Sequence, residues 1–107
     1  MIPIEKLYHI AKRYAPLPWI VDFDDGTVSY ERKGRTIILK PEKEMAGKLQ
    51  KRKVITAPCV SVTTKNSVKD TYHVSYVYEK SAVGPAIRKA YQLQGFQNLD
   101  TPTLFDI

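Results

Sequence analysis

Basic and aromatic side chains carry the most suggestive chemistry in this chain. Lys48, Lys51, Arg52 and Lys53 crowd the stretch KLQKRK; Arg32, Lys33 and Arg35 fall in ERKGR, and Lys65 and Lys69 in TKNSVKD. Ammonium and guanidinium groups on exposed turns can contact a phosphate backbone without disturbing a core, and each phosphate they neutralise releases condensed counterions. Between residues 32 and 89 stand fourteen Lys or Arg against Glu42, Glu44, Asp70 and Glu79, within a chain of formal charge +6. The two flanks are therefore net acidic, and the excess of positive charge is confined to one stretch. Such a field favours a polyanionic partner.

A second pattern lies beside it. In TYHVSYVYEK, Tyr72, Val74, Tyr76 and Tyr78 occupy every second position, so in a strand they share one face while Thr71, His73, Ser75, Val77 and Glu79 share the other. Two readings follow. Exposed, Tyr72, Tyr76 and Tyr78 would be stacking platforms for the bases of a single strand, beside the lysines. Buried, they would be ordinary residues of a half-covered strand, with wet hydroxyls. The buried reading is favoured, because the opposite face is too polar to be the covered one.

Catalytic constellations are sparse. His9 and His73 have no matched nucleophile or ligand cluster, and neither a phosphate-binding loop nor a dinucleotide fingerprint occurs. Cys59, the only cysteine, stands in an apolar run and reads as a buried, unreactive thiol. Asp22, Asp24 and Asp25 offer oxygen ligands to a hard cation. Together with Glu31 and Lys33 they resemble the metal-dependent nuclease motif, in which an aspartate precedes Glu-x-Lys. Here Gly34 follows at once, which puts the triplet at a turn and not inside a central strand. That resemblance would imply magnesium- or manganese-dependent cleavage. The residues alone favour no metal site, no cofactor and a non-catalytic protein.

At the other end, Thr101, Pro102, Thr103, Leu104 and Phe105 resemble the short peptide with which bacterial replication and repair proteins dock on the sliding clamp, although the usual leading Gln is missing. The resemblance implies a protein partner held by Leu104 and Phe105, two apolar anchors in an extended segment.

The elements that must position these groups follow from periodicity. Pro3 suits a helix start, and Ile4, Leu7, Tyr8 and Ala11 trace one apolar face until APLP stops the helix. Trp19 to Lys40 alternates around DDG and KG turns, predicting a three-stranded meander. PEKEMAGKLQKRK has acids near its start and bases near its end, which suits a short surface helix. Two strands follow, 54–64 and 70–80, with Pro58 at an edge or a bulge. A last helix carries Val83, Ile87, Ala90 and Tyr91 inward and ends at Gly95.

The expected fold is α+β: a mainly antiparallel sheet of about five strands in the order α-β-β-β-α-β-β-α, with helices on one face. Residues 1–95 form a single domain and 96–107 a C-terminal tail. With 43% hydrophobic residues and neither a long apolar run nor a secretory signal, the reading is a soluble, cytoplasmic chain with no membrane contact. The function expected first is binding of nucleic acid, DNA or RNA, largely through phosphates, as an accessory factor in replication, recombination or regulation. Second comes a protein-binding module or inhibitor, phage-encoded or from a mobile element, docking through its tyrosine face or its tail. A metal-dependent nuclease is third. The sequence leaves strand type, base specificity and oligomeric state open.

Overall fold

The computed structural model describes residues 2–50 and 53–96, with backbone alone for 44–50 and 53–57. Its elements run in the order α1 (Ile4–Tyr14), β1 (Ile20–Asp22), β2 (Thr27–Arg32), β3 (Arg35–Gln50), β4 (Lys53–Asn66), β5 (Thr71–Val77) and α2 (Lys80–Gln94). All five strands form one antiparallel meander, each hydrogen-bonded to the next in sequence. The α+β class and the five-stranded antiparallel sheet match the expectation.

Register fixes which residues share a face. Val28 pairs with Leu39 and Tyr30 with Ile37; Ile37 pairs with Thr64 and Leu39 with Val62; Val62 pairs with Ser75 and Val60 with Val77. Opposed residues of antiparallel strands point to the same side. Val28, Ile37, Leu39, Val60 and Val62 therefore form a single apolar surface, and they share one core with Leu7 and Ala11 of α1 and with Val83, Ile87, Ala90 and Tyr91 of α2. Both helices thus cover the same face. Each large aliphatic side chain sealed there contributes about 1.5–3 kcal/mol.

The stop after α1 has a local cause. Pro16 and Pro18 lack amide hydrogens, leaving only Leu17 and Trp19 to donate, and both do: to Ala15 O at 2.7 Å and to Leu17 O at 2.8 Å. The Trp19 indole N–H donates to Ala15 O at 2.9 Å, which fixes the ring in the core at the start of the sheet. Helix α2 ends where expected, at Gly95, with φ +71°. Gly84 is buried where α2 crosses α1, and a Cβ there would strike the ring of Tyr14.

Three expectations are corrected. Residues 41–50 lie in β3, so the middle helix does not form and the order is α-β-β-β-β-β-α. β3 beyond Leu39 has no partner in β2, and β4 before Val60 none in β5, so 43–50 and 53–57 pair only with each other as a two-stranded ribbon. Its register slips between Glu42 and Met45, opposite Pro58, and again between Ala46 and Lys48, leaving Gly47 without a partner. Bulges of this kind bend and twist a ribbon, and the first explains how Pro58 is accommodated. Next, the alternation expected from Trp19 onward breaks at Phe23, which belongs to the turn after β1 and is 69% exposed. Finally, Phe96 is not the start of a tail: it is fully buried, with Tyr30 at 5.3 Å and Tyr91 at 6.3 Å between ring centres. No helix among the described residues is long and apolar enough to cross a membrane.

Candidate nucleic-acid interface

Two of the three basic clusters meet. β2 and β3 turn through Lys33 and Gly34, with φ +53° and +77°, the paired positive values of a type I′ hairpin. β4 and β5 turn through residues 67–70, where Asn66 Oδ1 accepts the N–H groups of Val68 at 3.1 Å and Lys69 at 3.0 Å. The tips are tied together, since Ser67 donates to Gly34 O from its amide at 2.9 Å and from its hydroxyl at 3.2 Å. A Cβ on Gly34 would run into the Ser67 hydroxyl, so glycine is needed for contact as well as for φ. Arg32, Lys33 and Arg35 therefore lie beside Lys65 and Lys69.

Behind the tips stands a polar clamp. The buried Gln94 amide donates to Thr36 O at 3.0 Å and Lys65 O at 2.9 Å, and its Oε1 accepts from Asn66 Nδ2 at 3.4 Å. Arg35 Nη1 donates to Gln94 O at 2.8 Å. Arg35 is thus committed to holding the end of α2 against β3. Lys33, Lys65 and Lys69 are exposed at the tips.

The tyrosines do not line the core. Tyr72 pairs with Lys65, Val74 with Thr63 and Tyr76 with Ser61, and these residues sit on the face opposite Val60 and Val62. Tyr72 is 66% and Tyr76 44% exposed, so the favoured buried reading fails for both. Its premise survives in part: Thr71, His73 and Ser75 are polar and none is buried, because β5 is an edge strand that α2 flanks without enclosing. Tyr78 differs. It follows the end of β5, is half-buried, and has a buried hydroxyl without a hydrogen-bond partner.

Across the helix-free face the register assembles rows. Tyr72, Lys65, Thr36 and Glu31 form one, Val74, Thr63, Ile38 and Ser29 the next, and Tyr76, Ser61 and Lys40 a third. The Lys65 ammonium lies 5.6 Å from the Tyr72 ring centre, a cation–π contact. Tyr72 also borders an open hollow of about 410 Å³ between the tips, walled by Lys65, Ser67 and Asp70. Tyr72 and Tyr76 stand four residues apart, about 13 Å along the strand. Lys40 was missed in the sequence; its signal was the inward pair Ile37 and Leu39, which sends Ile38 and Lys40 outward.

The third cluster is elsewhere. Lys48 and Lys53 fall in the far part of the ribbon, and Lys51 and Arg52 lie outside the described residues. Arg35 opposes Asn66 at one end of the β3–β4 ladder and Gln50 opposes Lys53 at the other, a separation of about 50 Å at strand rise. Among the described residues, the backbone of Lys48 and Lys53 therefore stands far from the hairpin tips. Leu104 and Phe105 also lie outside the described residues.

The nuclease-like set does not converge. Asp22 Oδ1 accepts the amides of Asp24 and Asp25, each at 3.0 Å, capping its own turn. Asp22 opposes Thr27, four residues along β2 from Glu31, about 13 Å. That is too far for carboxylates sharing one ion, and among the described residues no cluster of three potential ligands forms. Cys59 is buried, and burial, then the charge of Glu42, pushes its thiol above the usual value. His73 Nε2 sits 3.1 Å from Ser75 Oγ, a local contact without a third member. Comparison with family models, with curated proteins and with solved structures returns no match in any of the three.

Proposed function

We propose that the protein binds single-stranded nucleic acid on the helix-free face of its sheet. Tyr72 and Tyr76 supply planar surfaces on which bases stack, and Lys65, Lys40 and the tip residues Lys33 and Lys69 supply the charges that track phosphates. The observation that carries this reading is the exposure of Tyr72 and Tyr76 on the uncovered face, with the Lys65 ammonium 5.6 Å from the Tyr72 ring. Duplex offers its bases edge-on inside grooves, where isolated rings on a sheet cannot stack. Single strands expose the faces these rings need. Glu31 and Asp70 border the same surface and keep its net charge moderate, so stacking contributes more of the affinity here than it would on a purely cationic patch.

Competition between single- and double-stranded oligonucleotides of one sequence, repeated over a salt series, tests the reading. Single strand should win at every salt, and its affinity should fall with log salt by about 0.7 per phosphate neutralised. Equal competition by duplex, or affinity that ignores salt, would remove the proposal and leave the tyrosine face to a protein partner.

A further inference from the structure

At the opposite end of β5 from the hairpin tips, and beside the middle of β4, α1 and α2 begin side by side. Between them and the sheet lies a cleft of about 270 Å³. Its walls are apolar, from Pro3, Val77 and the Tyr78 ring among others, and Lys6 of α1 and Lys80 of α2 both border it. This is small for a drug-sized ligand but ample for a compact one.

The two lysines are badly placed for stability alone. Lys80 is the first residue of α2, where the helix dipole disfavours a cation, and the first turn of α2 contains no acid. By contrast, Lys12 and Arg13 sit in the last turn of α1, where the dipole favours them. Neither helix has a side-chain cap at its N-terminus, and among the described residues neither Lys6 nor Lys80 has an acidic partner. Lys6 is pushed below the ordinary lysine range, first by hydrogen-bonding contact with Lys80, then by its charge, and least by burial. Two cations meeting at the rim of an apolar cleft, with no carboxylate between them, are what an anionic ligand would relieve. Tyr78, which borders the cleft, also has a buried hydroxyl without a partner, as has the Glu42 carboxylate, whose charge reaches Cys59 on the β4 side of the cleft.

We propose that this cleft is a second ligand site, for a compact phosphate monoester whose dianionic head sits between the Lys6 and Lys80 ammoniums and whose apolar or ring-bearing body rests against Pro3, Val77 and Tyr78. Two lysines match a dianion better than a carboxylate, and the apolar walls select against inorganic phosphate. The monoester is either a free phosphorylated small molecule or the 5′-phosphate of a strand end; both present the same chemistry. The site lies about 20 Å along β5 from the hairpin tips, so it works independently of the sheet face.

Phenyl phosphate is a suitable probe, titrated into the full chain and followed by calorimetry and by amide shifts of residues 77–83. Phenyl phosphate should bind more tightly than inorganic phosphate and than phenol. Lys6→Gln and Lys80→Gln should each weaken it by about tenfold or more, as expected for loss of one charge-assisted hydrogen bond, with the circular dichroism spectrum unchanged. Binding should rise as pH passes about 6, where the second phosphate proton leaves, and fall at high pH as Lys6 deprotonates, earlier than an ordinary lysine would. Inorganic phosphate binding as well as phenyl phosphate, or both lysine variants binding like the wild type, would overturn the proposal. Competition by a 5′-phosphorylated oligonucleotide but not by its unphosphorylated form assigns the site to strand ends; competition by neither, with phenyl phosphate bound as predicted, assigns it to small molecules. Tyr72→Ala leaves phenyl phosphate binding intact, so this site and the sheet face fail or stand separately.

Discussion

Thr71, His73, Ser75 and Val77 turn toward α2, and Tyr72, Val74 and Tyr76 turn away from it, so one seven-residue strand shows both faces of the sheet. Toward the helices, the middle strands present Val28, Ile37, Leu39, Val60 and Val62, and the surface is sealed by Leu7, Ile87 and Phe96. Away from them, the same strands present Thr36, Ile38, Lys40, Ser61, Thr63 and Lys65, with the two exposed rings at the edge. The covered face is apolar in the centre and polar only at its margin. The uncovered face differs: apart from Ile38 its centre is polar or charged, and its aromatic surface lies at the margin. Large exposed rings contribute little to folding at such a position, so the difference teaches where stability ends, and the proposed recognition surface lies beyond that boundary.

The comparison is broken most severely from the covered side. Phe96→Ala removes a fully buried ring and should cost about 3–5 kcal/mol in urea denaturation. A loss under 1 kcal/mol would mean that Phe96 does not belong to the core. Gln94→Leu strips the donors from Thr36 O and Lys65 O and should cost about 1–3 kcal/mol. It should also accelerate amide exchange at both hairpin tips, because the clamp between α2 and those strands is gone.

On the uncovered face the order of effects inverts. Tyr76→Ala should change stability by no more than about 0.5 kcal/mol yet weaken single-strand binding by about 1–3 kcal/mol. Stability falling as far as binding would return Tyr76 to the core. The smallest effect is expected at the ribbon: with an oligonucleotide of about ten nucleotides, within the usual footprint of a stacking surface, Lys53→Gln should leave the salt dependence as it is, whereas Lys65→Gln should lower its slope by about 0.7. Equal slopes for the two variants would show that the ribbon and the sheet face act together.

Much of this architecture was legible from short-range pattern. The stripes Leu7 and Ala11, and Val83, Ile87, Ala90 and Tyr91, are buried as their spacing predicts. Turns at DDG, at Lys33–Gly34 and after Asn66 form where positive φ or an Asx side chain is needed. The ribbon was not legible. PEKEMAGKLQKRK has sound helix propensity and well-placed charges, but the β-branched run Val54, Ile55 and Thr56 needs a ladder partner, and β3 supplies it through two bulges. Long-range pairing overrides local propensity there. For the candidate site, alternation correctly separated the two faces of β5, but which face is covered depends on where α2 crosses and on β5 being an edge, neither of which is written in the strand. The meeting of the tips through Ser67 and Gly34 was likewise out of reach, since it depends on pairing residues 33 apart. The division between Lys65 near Tyr72 and the distant Lys53 follows from the same ladder.

The most direct test is fluorescence anisotropy of an unstructured single-stranded oligonucleotide titrated with the wild type and with the Tyr72→Ala/Tyr76→Ala double variant, at several salt concentrations. Wild-type affinity should decline linearly in log salt, and the double variant should bind at least about thirtyfold more weakly at each concentration while unfolding at the same urea midpoint. A double variant that binds as the wild type does would contradict the account.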